Sequence, residues 1–185
     1  MPDVIIRTAL GDIEVELEFD KAPITSRNFL RNIDEGLFRG GSFYRSAHKD
    51  DATGANLSII QGGANKDLDQ PKPIEHETTA TTGLRHGAGA VSMARMERGT
   101  ATTEFFICLE DTPGLDFREA TDAGAGYAVF GRVVGGMDVV RAIHDRETGD
   151  PDLSASDAGG IPEWLRPQLL NDPILIHEMV VARRG

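Results

Sequence analysis

Between positions 13 and 19 the residues Ile13, Val15, Leu17 and Phe19 alternate one for one with Glu14, Glu16 and Glu18. A period of two over seven residues is a strand with one dry face and one wet face, and it excludes a helix at this point. An apolar stretch at 4–8 precedes it across a Gly11-Asp12 turn, so the chain opens on a hairpin. Short apolar runs recur at 42–45, 57–61, 90–94, 104–109 and 127–134, and residues 174–182 make a last strand. Two stretches break the pattern. Pro23 is tolerated in a first helical turn, and Phe29, Leu30, Ile33 and Leu37 follow at helical spacing; Met137, Val140, Ile143 and His144 repeat that spacing after Gly135-Gly136. Eight short antiparallel strands leave exposed edges, which closure removes. The expected fold is mainly β: a closed eight-stranded antiparallel barrel capped by two α-helices.

Composition narrows the partners. The 185 residues are 39% hydrophobic and 26% charged, as in one soluble globular domain spanning 1–185. Lys and Arg number 19 against 30 Asp and Glu, a formal charge of −11. That sign is wrong for neutralising phosphates, so neither nucleic acid nor an anionic membrane is expected. Cys108 is the single cysteine, which permits no internal disulfide and no Cys-rich metal site. The start, MPDVIIRT, has neither a basic region nor an apolar core of the signal-peptide kind, so the expected place is the cytoplasm, or the periplasm if a signal was removed. The expected state is a monomer. Polar connections at 46–56, 64–89, 117–126 and 147–172 separate the elements, and the last holds the only tryptophan, Trp164. It is no linker between domains, because the strand behind it is too short to fold alone and must pair back into the barrel.

Common catalytic motifs are missing: there is no GxSxG, no GxxxxGK[ST] and no HExxH. The clusters His48-Lys49-Asp50-Asp51 and Glu75-His76-Glu77 carry metal-ligand types, yet their surroundings read as solvated loops, as do those of His86 and His144. A metal-dependent hydrolase built on His48, Asp50, Asp51 and His76 is the remote alternative. Gly62-Gly63 and Gly87 to Gly89 read as turns.

What remains is a series of strands in which polar residues interrupt apolar ones: FYR ending at Arg45, IIQGG with Gln61, SMAR with Ala94 and Arg95, and TEFFICL with Glu104 and Phe106, followed by Leu115-Asp116. In this order the series resembles the cyclophilin-type peptidyl-prolyl isomerases, in their bacterial branch. The resemblance covers 4–143 and resumes in the final strand, with 46–56 and 147–172 as insertions. It implies the same barrel, reached above by counting. It further implies a peptidyl-prolyl cis-trans isomerase that assists protein folding, with proline-containing peptides and unfolded or partly folded proteins as partners and no cofactor or metal.

The resemblance also assigns roles. Arg45 is the catalytic arginine, Gln61 its neighbouring amide, and Glu104 stands in the catalytic set. Phe43, Ile59, Phe106 and Leu115 would bind substrate as parts of the proline pocket and its surroundings. Ala94 and Arg95 would pair with the substrate backbone, and Tyr127 would offer a hydroxyl. Read without the resemblance, Ile59, Phe106 and Leu115 are barrel core and Arg45 is half of a surface ion pair. Three positions depart from the better-known members: Glu104 for Gln, Gly114 for an aromatic residue, and Ser58 for Phe. An ionised Glu104 accepts but cannot donate, and is expected to pair with Arg45. Gly114 supplies neither ring nor indole N–H, which implies weak cyclosporin inhibition unless Trp164 folds over from its loop. A proline-peptide binding module or chaperone with little isomerase activity is the second reading.

Overall fold

The computed structural model of the chain describes residues 2–149, 151 and 162–183. Eight strands appear in chain order: β1 Val4–Thr8, β2 Gly11–Leu17, β3 Ser42–Ala47, β4 Ile59–Gly63, β5 Ala90–Met93, β6 Phe105–Cys108, β7 Ala128–Gly135 and β8 Leu169–Val181. They close into a barrel in the order β1-β2-β7-β5-β6-β4-β3-β8, with every pairing antiparallel. Helices α1 (Pro23–Asp34) and α3 (Met137–His144) are the two expected from spacing. A third, α2, is the single turn Thr79–Thr82, and 3-10 turns form at Pro113–Leu115 and Glu163–Gln168. These short pieces carry no apolar period, so periodicity could not announce them. Among the described residues no helix is long and apolar enough to cross a membrane.

Alternation sorts the side chains into two apolar groups. Val4, Ile6, Ile13, Val15, Ile60, Val91, Met93, Phe105, Ile107 and Phe130 fill the interior. Their neighbours Ile59, Ala90, Phe106, Cys108 and Val129 face outward and pack with Ala47 into a second cluster on the wall made by β3, β4, β6, β5 and β7. An outward-facing apolar group on a strand wall is what a substrate groove requires, because plain strand exteriors carry polar residues. Helix α1 delivers Phe29 into the interior, where its ring meets Phe38, Phe130 and Phe105 at 5.2, 5.0 and 5.4 Å. Glu77 closes the N-terminus of α1: its carboxylate accepts from Ile24 N at 3.1 Å and Thr25 N at 2.8 Å, satisfying orphan donors with a charge of the favoured sign. That replaces the solvated reading of Glu77. Before α3, Gly136 adopts φ +81°, and a Cβ there would lie 2.2 Å from Asp12 O, so only glycine makes this junction.

Two boundaries differ from expectation. Gly62 and Gly63 lie inside β4, opposite Phe43 and Ser42, rather than in a turn. Strand β8 begins at Leu169, inside the segment read as an insertion at 147–172; of that segment, residues 150 and 152–161 lie outside the described residues. Asn171, Asp172 and Pro173 hide this start, since they are poor strand formers. In the structure Ile174 pairs with Phe43 and Leu169 with Arg45, so the intervening residues of β8 bulge out opposite Tyr44.

Candidate active site

The site grows from an irregularity in β3. Register shifts between Phe43 and Arg45 against both neighbouring strands, so strict alternation fails at Tyr44. Phe43 turns into the barrel, fully buried with its ring 5.6 Å from that of Phe105. It therefore packs the interior and does not line the groove, contrary to the sequence reading. Tyr44 and Arg45 both reach the outer wall, in two adjoining hollows.

The first hollow, of about 400 Å³, brings together Arg45, Ile59, Gln61 and Phe106 from strands β3, β4 and β6 and Ala94, Arg95, Leu115 and Tyr127 from the connections around them. Ile59 and Phe106 form its apolar floor. Tyr127 stands edge-on to Phe106 at 5.6 Å and is held by its N–H to Leu115 O at 3.0 Å. Arg95 lies over the Tyr127 ring at 5.0 Å and donates to the carbonyls of Gly126 and Asp122, so its charge is spent on the loop 117–126. Behind Phe106, His86 stacks parallel at 5.8 Å, with Nδ1 2.7 Å from Asp116 Oδ1 and Nε2 2.9 Å from Ser92 Oγ. His86 is thus a buried brace and not the solvated residue read from sequence; burial holds its pKa below the ordinary value, with Asp116 opposing.

Polar groups along the rim form one hydrogen-bonded line. Arg45 NH1 donates to Gln61 Oε1 at 2.7 Å, Gln61 Nε2 donates to the Tyr44 hydroxyl at 2.8 Å, and that hydroxyl donates to Glu104 Oε2. In the other direction Arg45 Nε donates to Gln168 Oε1 at 2.8 Å, and Gln168 Nε2 donates to Asp51 Oδ2 at 2.7 Å. The expected Arg45–Glu104 pair does not form, because Gln61 and Tyr44 stand between them. Glu104 instead lines the second hollow, of about 430 Å³, with Tyr44 and Lys66. Burial raises its pKa, against the lowering effects of Tyr44 and Lys66. Its carboxylate presses on β4: a Cβ on Gly63 would lie 2.0 Å from Glu104 Oε1. Burial also lowers the Arg45 pKa, offset by Tyr44, Tyr127 and Asp51, and an arginine so shifted stays charged.

Sequence reasoning did not assign Tyr44, Gln168 or Leu57 to the site. Tyr44 was readable only as the middle of FYR, and its outward turn depends on the bulge. Trp164, which the sequence reading allows to fold over from its loop, lines the hollow, with Leu165 beside it. The residues of the hydrolase alternative are not gathered: His48 Nε2 faces His144 O and the His48 and His144 rings lie 3.8 Å apart, while His76 Nε2 faces Ala125 O. Among the described residues no group of three or more His, Cys, Asp or Glu side chains could hold a metal.

The fold and the site together define a closed eight-stranded antiparallel β-barrel with an arginine anchored by two amides at the rim of an outer apolar hollow. The sequence model of the family described as cyclophilin type peptidyl-prolyl cis-trans isomerase matches residues 3–158. Peptidyl-prolyl cis-trans isomerase cyp18 of Streptomyces antibioticus is 38% identical over 153 residues, 80% of this chain and 87% of that protein. Isomerase B of Escherichia coli is 37% identical over 151 residues (79% and 86%), and isomerase A of Dickeya dadantii 35% over 149 (78% and 72%). A cyclophilin-type isomerase of Cryptosporidium parvum, crystallised in the presence of the dipeptide Ala-Pro, superposes with a TM-score of 0.70 over 98% of this chain and 99% of its own, at 20% identity; it shares the fold. The chain belongs to the cyclophilin-type peptidyl-prolyl isomerase family.

Proposed function

We propose that the chain accelerates rotation about X-Pro peptide bonds in protein substrates, with Arg45 as the group that acts on the substrate. The observation carrying this reading is the guanidinium tied by two side-chain amides at the edge of a hollow floored by Ile59 and Phe106. A peptide C–N bond resists rotation by about 18–20 kcal/mol, because the nitrogen lone pair is delocalised into the carbonyl. The X-Pro bond is nonetheless balanced to within about 0.5–1 kcal/mol, so its slow exchange is a kinetic problem. Neither a nucleophile nor a metal is required. A donor aimed at the proline nitrogen stabilises that nitrogen as it pyramidalises and withdraws its lone pair from resonance. The apolar floor holds the ring while the preceding carbonyl swings. One preorganised donor is worth roughly 2.7–4 kcal/mol, or about 10²–10³ in rate.

Gln61 is held on two sides, its oxygen accepting from Arg45 and one of its two amide N–H groups donating to Tyr44. Its part, like that of Glu104 at the end of the line, is to orient. Ala94 N is taken by Glu104 O at 2.9 Å, which leaves the Ala94 carbonyl for a strand-like peptide. Unfolded or partly folded proteins are the proposed partners, because only an extended segment can lay a proline into an outer hollow. The test is exchange spectroscopy on a short X-Pro peptide at substoichiometric protein. Cis–trans cross-peaks are expected, and binding without exchange would favour the chaperone reading.

A further inference from the structure

Two segments that the sequence reading set apart as insertions, 46–56 and 147–172, meet behind Arg45. Asp51 and Thr53 come from 46–56, Gln168 from 147–172, and Gln168 Nε2 donates to Asp51 Oδ2 and to Thr53 Oγ1, both at 2.7 Å. Asp51 is itself held, accepting from His48 N at 3.1 Å and Thr53 N at 2.9 Å. Gln168 is fully buried. A glutamine amide has one end that donates and one that accepts, and a carboxylate only accepts. With Asp51 taking the nitrogen end, the oxygen end must face Arg45, where it receives Nε–H at 2.8 Å. Gln61 fixes NH1 from the other side at 2.7 Å. Two amides at different nitrogens stop the guanidinium from turning about its Cδ–Nε axis, and NH2 has no acceptor among the described residues.

We propose that Gln168 is a positioning residue for Arg45, with Asp51 setting which end of its amide faces the arginine. The inference rests on the isomerase reading of Arg45. Register supports it independently of the side-chain contacts: β8 starts opposite Arg45, with Leu169 paired to it, so the backbone delivers Gln168 to the arginine before any rotamer is chosen.

Gln168→Met keeps the length and removes both hydrogen-bonding ends. Expected are a fall of about tenfold in kcat and a KM for the X-Pro peptide within about twofold of the parent, since the apolar floor is untouched. In the Arg45→Ala background the same change should move the residual rate less than about twofold, because a residue acting through Arg45 has nothing left to position. Exchanging polarity, Asp51→Asn with Gln168→Glu, keeps an acceptor on Arg45 Nε and a donor toward it from position 51, and should recover kcat to within about threefold. The Arg45 Nε–H signal, read without peptide, should be protected from solvent exchange in the parent and lose that protection in Gln168→Met. Because this signal needs no turnover, it decides the positioning role even if the parent proves inactive, so the two failures are told apart. Should Gln168→Met not fold, Asp51→Asn carries the same measurements, with a smaller loss of protection expected. Unchanged Nε–H protection, or an effect on kcat equally large without Arg45, overturns the proposal.

Discussion

Arg45 and Gln168 stand 123 positions apart, yet Nε of the first donates to Oε1 of the second at 2.8 Å. This contact joins the rim of the hollow to the segment that also brings Trp164 and Leu165 to it. Groove wall and arginine anchor therefore come from one stretch of chain, with Trp164 on the side of binding and Gln168 on the side of turnover.

Arg45→Ala removes the charged donor held by Gln61 and Gln168 and no interior volume. Isomerase turnover should fall by about two orders of magnitude, with the thermal midpoint within a few degrees of the parent. Undiminished turnover in a folded variant would withdraw Arg45 from the mechanism.

Trp164 is the single tryptophan and is 62% exposed at the edge of the hollow, so its fluorescence reports directly on occupancy. A proline peptide should shift and intensify the emission as the indole is covered. Trp164→Ala should weaken peptide binding several-fold and leave kcat nearly unchanged, since contacts at an aromatic rim hold substrate and transition state alike. Emission that ignores saturating peptide would place the bound chain elsewhere.

Gly114 has open space where a side chain would begin, with nothing within 4 Å of a Cβ. Gly114→Trp should therefore be accommodated and should tighten cyclosporin binding by an order of magnitude or more, measured by calorimetric titration. If affinity does not change, Trp164 already supplies the missing aromatic surface.

Burial raises the Glu104 pKa above its ordinary value. For a carboxyl so shifted, the unfolded chain loses its proton first as pH rises, so the folded state is penalised from the unfolded pKa upward. Glu104→Gln should thus be more stable than the parent at pH 7, and the difference should vanish in acid below both pKa values. Denaturant titrations at the two pH values check this. A parent more stable than the variant at pH 7 would mean that the Tyr44 hydrogen bond to the carboxylate outweighs the burial.

Gly63→Ala would drive a methyl into the Glu104 carboxylate. The carboxylate can swing away only by leaving Tyr44, so a cost of roughly 1–3 kcal/mol is expected, with a loss of turnover transmitted through Gln61. Pairing it with Glu104→Ala, which clears the space, should restore most of the stability.

The opening alternation from Ile13 to Phe19, the proline-led helix α1 and the runs around Phe106 and Val129 were legible because each is a local period, set by which side of one strand or one turn meets water. Arg45 stood out only through the resemblance that FYR, IIQGG and FFIC carry. The resemblance misled at Phe43: the bulge that sends it inward needs β4 and β8 on either side. Gln168 and Asp51 were illegible as partners for a related reason. Hydrogen bonds between side chains depend on distances of about 3 Å, and no spacing along a chain encodes a distance that arises only when the barrel closes. The amino-acid sequence by itself determined the eight strands and the two longer helices, because these follow from local burial preference. Tertiary structure alone decided which carboxylate holds which amide, and hence that Glu104 answers to Tyr44 while Arg45 is held from the far end of the chain.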